Sequence, residues 1–152
     1  GRFRVNAFRA AGRISIVMRQ VKSAVPSFAE LNLPERQFTR FANLERGLVL
    51  VTGITGSGKS TSLAAIVDAI NNTRNKHILS LEDPIEYRFT DNLCVINQRE
   101  IGVDTKDWLT GLRNAMREAP DVIMLGEIRD METAHIAAAA CSTFSNRPVW
   151  PR

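Results

Sequence analysis

The chain has 152 residues, of which 44% are hydrophobic and 24% are charged, and its formal net charge is +4. This composition is typical of a globular protein and excludes collagen-like, low-complexity and wholly disordered chains. No apolar run reaches the roughly 18 residues that a membrane-spanning helix needs. The two cysteines are too few for a disulfide framework or a zinc site, which favours a reducing compartment.

The charge is unevenly distributed along the chain. Residues 1–46 contain nine Arg or Lys and three Glu, a net charge of +6, whereas residues 47–152 have a net charge of −2. A basic segment attracts phosphate groups of any kind, so nucleotides, nucleic acid and an ordinary solvated surface all stay open. Nucleic acid is the weakest of these interpretations, because the segment has no interleaved aromatic residues and no recognisable nucleic-acid-binding module.

Two segments near the N-terminus are predicted to form a β-hairpin. Residues 2–8 and 14–21 have the alternating polarity of half-buried strands, and Ala11-Gly12 between them favours a tight turn. In a hairpin centred on this turn, Arg4 lies directly opposite Arg19. Like charges in that position are unfavourable, so we expect an anion to bind near the two arginines.

The rest of the chain predicts a linker followed by an α/β domain. Residues 26–46 include two prolines and are predicted to be a linker with a short helix. Strands are then predicted at 48–51, 78–81, 94–96 and 122–125, and helices at 60–72 and 108–116. We expect Asp104 or Thr105 to cap the second helix. Alternating strands and helices favour a largely parallel sheet.

A glycine-rich sequence lies between the first of these strands and the first helix. It has the pattern G-x-x-x-x-G-K-S followed by Thr61, and its candidate phosphate-binding residues are Gly53, Thr55, Gly56, Ser57, Gly58, Lys59, Ser60 and Thr61. Glycines let backbone N–H groups surround a phosphate, and the positive N-terminus of the helix faces the same anion. In such a loop the lysine reaches the β- and γ-phosphates and the serine hydroxyl binds Mg²⁺. The sequence therefore predicts a nucleoside triphosphate site.

Acidic residues follow two other predicted strands. Glu127 comes just after strand 122–125, and Glu82, Asp83 and Glu86 follow strand 78–81. Ligands of open parallel sheets bind at the carboxyl ends of the strands, where a carboxylate can orient water or help to hold Mg²⁺. Taken alone, each group is also consistent with an acidic turn in solvent. Together with the glycine-rich loop they predict a hydrolytic site.

Five segments, in the same order, resemble the secretion ATPases of type II secretion and type IV pili, above all the pilus-retraction, twitching-motility members (PilT/PilU type). They are residues 53–61, 81–87, 97–102, 112–117 and 119–130, and the resemblance covers about residues 2–134. It implies a RecA-like P-loop NTPase core, incomplete at its C-terminus and preceded by the tail of a PAS-like N-terminal domain. The implied divisions are a hairpin (1–25), a linker (26–46), the ATPase core (47–141) and a non-family tail (142–152).

The resemblance also implies a function. It implies part of a cytoplasmic homohexameric motor that hydrolyses ATP with Mg²⁺, drives disassembly of a pilus through an inner-membrane platform protein and binds no nucleic acid. Glu86 would act on the attacking water, Glu127 would lie on the magnesium side and Glu82 would support both, although the first two roles are interchangeable. Arg4 and Arg19 would swing onto the γ-phosphate from the N-terminal domain.

The resemblance ends after Ala134. The family's Gly-His pair and its later Ser-Thr-Leu-His-Thr sequence are absent from residues 135–152. His135 is expected to be a surface residue of a helix that has no later strand to cover. The first residue is Gly1 rather than Met, so we expect a piece of a longer ATPase that is weak or inactive alone.

Two further interpretations stay open. Pilus-assembly, type II secretion and conjugation ATPases share every motif described above. The chain is also consistent with a non-catalytic fragment that binds a nucleotide without hydrolysing it.

Overall fold

The computed structural model describes residues 2–21 and 24–144, which form a β-hairpin, a parallel sheet and four helices. In chain order the elements are β1 (Arg2–Ala10), β2 (Arg13–Val21), α1 (Glu35–Ala42), α2 (Lys59–Thr73), β3 (His77–Glu82), β4 (Val95–Glu100), α3 (Trp108–Ala115), β5 (Val122–Leu125) and α4 (Met131–Phe144). Among these described residues, none of the helices has the length and apolar character required to cross a membrane. The predicted tail at 142–152 falls mostly on residues 145–152, which lie outside the described part.

The sheet has the order β4-β3-β5, and both pairings are parallel. The predicted strands at 78–81 and 122–125 are confirmed. The strand predicted at 94–96 instead runs over Val95–Glu100. It is longer than predicted because the polar residues 97–100 also pair with β3. The α/β class with a parallel sheet is therefore confirmed.

Helices cover both faces of this sheet. Side chains alternate along a strand, so Ile78 of β3 packs beneath α1 and α2, whereas Leu79 and Leu81 pack against α3 and α4. Ser80 and Glu82 follow Ile78 by two and four residues, so their side chains lie on the same face of the sheet as Ile78. The same period-2 pattern that builds the core thus directs a buried hydroxyl and a buried carboxylate toward the side of α2.

The hairpin has the predicted register, in which Arg4 pairs with Arg19 and Val5 with Met18. The prediction that its strands are half-buried is wrong. Val5, Ile16 and Met18 are 55%, 59% and 65% exposed, although they share one apolar face. Alternating polarity specifies which side chains share a face, and burial requires a second layer that no other described element supplies here.

Residues 48–51 were predicted to be a strand and do not form one. Leu48 and Leu50 are largely exposed, and no strand in the described part of the chain pairs with this segment. An apolar run becomes a strand only where another strand offers backbone partners. Within the described residues, β5 pairs with β3 alone, and residues 48–51 belong to neither of the two sheets.

The predicted linker is packed against the sheet rather than extended. Phe28, Phe38 and Ala42 join the hydrophobic cluster beneath α2. Arg74, just after α2, donates hydrogen bonds to the carbonyls of Ala42 and Leu44 and forms an ion pair with Glu45. These contacts fix the end of α1 against the end of α2. The domain boundaries given above stay a prediction.

The cap of α3 differs from expectation. Asp107, and not Asp104 or Thr105, caps α3 by accepting a hydrogen bond from the Thr110 N–H at 2.7 Å. The cap must stand one residue before the first helical residue, and α3 begins at Trp108. Asp130 caps α4 in the same way, by accepting a hydrogen bond from the Thr133 N–H.

Helix α4 packs on α3 and on the earlier strand β3, and within the described residues no later strand follows it. Ala137 is buried and Ile136 partly buried in the cluster of α3 and β3. Small alanines allow α4 to approach α3 closely, and the sheet face beneath supplies the apolar surface. His135 is exposed, as predicted.

The packing of α3 on β3 leads to a prediction about stability. Leu112 is fully buried in the second cluster, so Leu112→Ala is expected to lower the free energy of unfolding by about 2–5 kcal/mol. Urea unfolding followed by circular dichroism measures this. The matched change Leu50→Ala, at a largely exposed side chain, should alter the free energy by less than about 0.5 kcal/mol. Equal losses in the two variants would contradict the assigned core.

Candidate functional site

The glycine-rich loop turns directly into α2. Gly58, the residue before the helix, has a left-handed φ of 88°, a conformation that favours glycine. At Gly53 a Cβ would lie 2.8 Å from Ser57 Oγ, closer than such atoms approach. The glycines at these two positions thus allow a tight loop whose following helix presents its unpaired N–H groups.

Lys59 is the first residue of α2, and its side chain folds back over the loop. Its Nζ donates hydrogen bonds to the carbonyls of Gly53 at 2.9 Å and Ile54 at 2.8 Å. These neutral acceptors are weaker partners for an ammonium group than phosphate oxygens are. A bound phosphate would therefore compete well for Lys59.

The predicted acidic residues meet the start of α2 in one cleft. Because β3 and β5 are parallel neighbours, their carboxyl ends lie at the same edge of the sheet. The cleft there has a volume of about 120 Å³. Ser60, Glu82, Glu86 and Glu127 all line it, as does Gly126. With Asp83, which also lines the cleft, five of the residues singled out from the sequence are thus brought together.

Glu82 is buried and surrounded by donors. Its Oε1 accepts hydrogen bonds from the Ser80 hydroxyl at 2.7 Å and the Gln98 amide at 3.1 Å. Burial raises the pKa of Glu82 above 4.5, and these hydrogen bonds, with one from the backbone of Glu86, oppose that rise. Glu82 Oε1 is thus already occupied by donors from two strands of the sheet.

Glu127 has a different environment. Its Oε1 is shielded from solvent and accepts no hydrogen bond from the described residues, but it lies 2.7 Å from Arg129 Nη2 in an ion pair. Arg129 is itself 65% exposed. The carboxylate is therefore neutralised by a cation that is free to move into solvent.

A tyrosine connects the loop to the acidic segment. The Tyr87 hydroxyl, which is buried, shares a hydrogen bond of 3.2 Å with Thr61 Oγ1 on the first turn of α2. The segment after β3 is thus attached to the phosphate-binding helix.

The structure does not bring Arg4 and Arg19 to this cleft. Both are exposed on the hairpin, and no hairpin residue lines the cleft. No ion pair within the described residues involves either guanidinium. The expectation that they approach a phosphate stays a prediction.

The oxygen ligands of the cleft fit a metal ion that also binds water and phosphate. Among the described residues, no three His, Cys, Asp or Glu side chains form a group that could hold a metal by itself. Mg²⁺ commonly keeps several waters and takes one or two protein ligands plus phosphate oxygens. The Ser60 hydroxyl beside the carboxylates fits that mode of binding.

Sequence reasoning missed four residues that shape this site: Ser80, Tyr87, Gln98 and Arg129. Ser80 and Gln98 could have been recognised from the sequence. Each is a polar residue two positions after an isoleucine whose side chain faces the core, so its own side chain faces the same way. Tyr87 and Arg129 carried no such signal, because their partners are distant in sequence or depend on a loop conformation.

Comparisons with known proteins agree with this arrangement. A family model described as type II/IV secretion system protein matches residues 1–144. The type IV pilus retraction ATPase PilT of Pseudomonas aeruginosa is 49% identical over 142 residues, which are 93% of this chain and 41% of that protein. The chain thus spans about two fifths of the length of this relative.

Two solved structures are similar as well. A crystal structure of the pilus retraction motor PilT with bound ADP matches with a TM-score of 0.91 and 46% identity, over 94% of this chain and 41% of that one. The ATPase DotB of Legionella pneumophila matches with a TM-score of 0.80 and 34% identity, over 93% and 40%. These likenesses confirm the predicted fold class, an α/β P-loop NTPase core.

The buried carboxylate yields a pH-dependent prediction. Because burial raises the pKa of Glu82, the folded state favours its protonated form, and wild-type stability falls as the pH rises from about 4.5 through the folded pKa. Glu82→Gln accepts the same hydrogen bonds without ionising. Its free energy of unfolding relative to wild type should therefore increase over that pH range.

Urea midpoints between pH 4 and pH 8 provide the measurement. Glu132→Gln, at an exposed position, is the control and should show a difference that does not change with pH in this way. A Glu82→Gln difference that stays flat or falls with rising pH would contradict the burial effect.

Proposed function

The chain belongs to the type II/IV secretion system protein family, and on that basis we propose that it forms the ATP-binding and hydrolysing part of a type IV pilus retraction motor. One observation carries the proposal: Ser60 at the start of α2 shares a cleft with Glu86 and Glu127 at the carboxyl ends of two parallel strands. A phosphate-binding loop facing carboxylates is the arrangement that phosphoryl transfer to water requires.

Each residue of the cleft has a chemical role in this proposal. The N–H groups of residues 53–60 and the Lys59 ammonium bind the β- and γ-phosphates. The Ser60 hydroxyl would hold Mg²⁺ together with phosphate oxygens, and the ion would supply positive charge to the phosphates. Glu86 orients the attacking water and accepts its proton, Glu127 lies on the magnesium side, and these last two roles are interchangeable.

Glu82 acts as a support in this scheme. Its buried oxygen, already occupied by Ser80 and Gln98, is a poor proton acceptor for water but a good anchor for the segment that bears Glu86. Arg4 and Arg19 supply positive charge to the γ-phosphate once the hairpin approaches a nucleotide. Arginines in that role contribute about 10³–10⁵ in rate in other NTPases.

The surroundings of the motor are part of the proposal. We infer a cytoplasmic homohexamer that acts on an inner-membrane pilus platform protein, since PilT is described as a retraction motor. DotB, also an ATPase, has the same fold at lower identity, so assembly, type II secretion and conjugation are the alternatives. Binding without turnover would instead identify a non-catalytic nucleotide-binding fragment.

Lysine replacement tests the nucleotide site. Lys59→Ala should weaken binding of a non-hydrolysable ATP analogue with Mg²⁺ by about 10- to 100-fold, because it removes a charge-assisted hydrogen bond. Isothermal titration calorimetry measures the affinity. Lys106→Ala, at an exposed lysine outside the cleft, is the matched control and should bind like wild type.

Turnover by the 152-residue chain is expected to be slow or absent. Strong, salt-resistant hydrolysis that Lys59→Ala abolishes would contradict that expectation while supporting the site. Failure of the wild-type chain to bind the analogue at all would refute the proposed function.

The arginine pair is tested on the hairpin itself. Arg4→Gln and Arg19→Gln should slow single-turnover phosphate release by at least about tenfold and leave analogue affinity within about twofold. Arg9→Gln is the control, since Arg9 lies on the opposite face of the same hairpin. Equal effects of all three changes would mean that only the net charge of the hairpin matters.

A further inference from the structure

Gln98 occupies a central position on β4. It pairs in register with Ser80 of β3 and has the same orientation as Ile96, which packs in the cluster beneath α2. Its side chain therefore lies on the face of the sheet that carries Glu82. Apolar residues commonly fill such positions, so a polar amide here needs partners.

The amide of Gln98 makes three hydrogen bonds. Its Nε2 donates to Glu82 Oε1 at 3.1 Å and to the Tyr87 carbonyl at 2.8 Å. Its Oε1 accepts from the Phe89 N–H at 3.0 Å. A carbonyl only accepts and an N–H only donates, so these partners also fix which end of the amide is oxygen and which is nitrogen.

These bonds fasten the backbone around Glu86. The backbone of Glu86 also hydrogen-bonds to the Glu82 carboxylate, which Gln98 holds from the other side. The segment is thus attached at residues 86, 87 and 89. The Glu86 side chain has no hydrogen bond or ion pair within the described residues, yet it lines the cleft, so its placement depends on this backbone.

We infer that Gln98 is a positioning residue for Glu86: its amide holds residues 86–89 so that the Glu86 carboxylate faces the phosphate-binding loop. This inference rests on the proposed function, in which Glu86 acts on the attacking water. Gln98 itself touches no reacting atom. Loss of its amide displaces Glu86 while leaving Lys59 and the loop in place.

The test replaces Gln98 with methionine, which has a similar length and no hydrogen-bonding amide, in the full 152-residue chain. Residue-resolved amide hydrogen exchange by NMR should be at least about tenfold faster at Glu86 and Phe89, because their N–H groups lose their acceptors or the support of those acceptors. The N–H groups of Leu79 and Leu81 in β3 should exchange as in wild type. Gln37→Met, at an exposed position of α1, is the matched control.

A second readout concerns the reaction. Gln98→Met should lower the single-turnover rate constant by about 10- to 100-fold and leave the affinity for the magnesium complex of the ATP analogue within about threefold. An affinity loss as large as the rate loss would overturn the inference. So would unchanged exchange at Glu86 and Phe89, whether or not the wild-type chain turns over.

A second variant, Gln98→Glu, distinguishes a local loss of hydrogen bonds from a general folding defect. This change keeps an acceptor for the Phe89 N–H and removes the donors to Tyr87 and Glu82, so Glu86 should lose protection while Phe89 keeps more of it than in Gln98→Met. Uniform loss of protection across β3, β4 and β5 in both variants would show a general structural role and overturn the inference. Failure of the wild-type chain to bind the analogue refutes the proposed function separately, because exchange at residues 86–89 needs no nucleotide.

Discussion

Parallel pairing of β3 with both of its neighbours is the constraint on which the site depends. It brings the carboxyl ends of β3 and β5 to one edge of the sheet and places Gln98 beside Ser80 on β4. Burial of β3 on both faces then leaves its inward polar residues without water. Ser80 and Glu82 therefore need hydrogen-bond partners, since an unpaired buried polar group is costly. Ser80 donates to Glu82, and the half-buried Gln98 of β4 supplies a second donor to Glu82.

This buried network gives the cleft its two kinds of carboxylate. Glu82 is fixed by donors from the sheet, whereas Glu86 is exposed and held through its backbone alone. Glu127 is different again, with an exposed arginine as its only ionic partner among the described residues. Environments that differ in this way are what allow neighbouring acids to take separate roles.

Much of the fold was predictable because its signals are local. The strand at 78–81, the helix after the glycine-rich loop and the hairpin register follow from apolar spacing and turn residues, and the structure confirms them. The strand predicted at 48–51 and the half-buried hairpin failed for one shared reason. Both depend on a second layer or a pairing strand, which local sequence does not contain.

The residues of the candidate site also fall into two groups, those that local sequence predicts and those that it does not. The loop at 53–61 and the acids at Glu82, Glu86 and Glu127 stand out because their residue types directly follow strands. Gln98 and Tyr87 act through contacts across strands and loops, at sequence separations that no local pattern encodes. The cap of α3 was missed by a few residues, because Asp104, Thr105 and Asp107 are all plausible caps until the first helical residue is known.

The charges of the cleft determine what a triphosphate needs in order to bind there. Glu82, Asp83, Glu86 and Glu127 line it together, and a phosphate group beside them would be repelled. Lys59 is a close source of positive charge, but in this structure its ammonium is held by the carbonyls of Gly53 and Ile54. Arg129 already pairs with Glu127, but one ammonium cannot balance a triphosphate and the remaining carboxylates, so productive binding requires further cations. In the proposed function, Mg²⁺ at Ser60 and the guanidinium groups of Arg4 and Arg19 on the hairpin supply them.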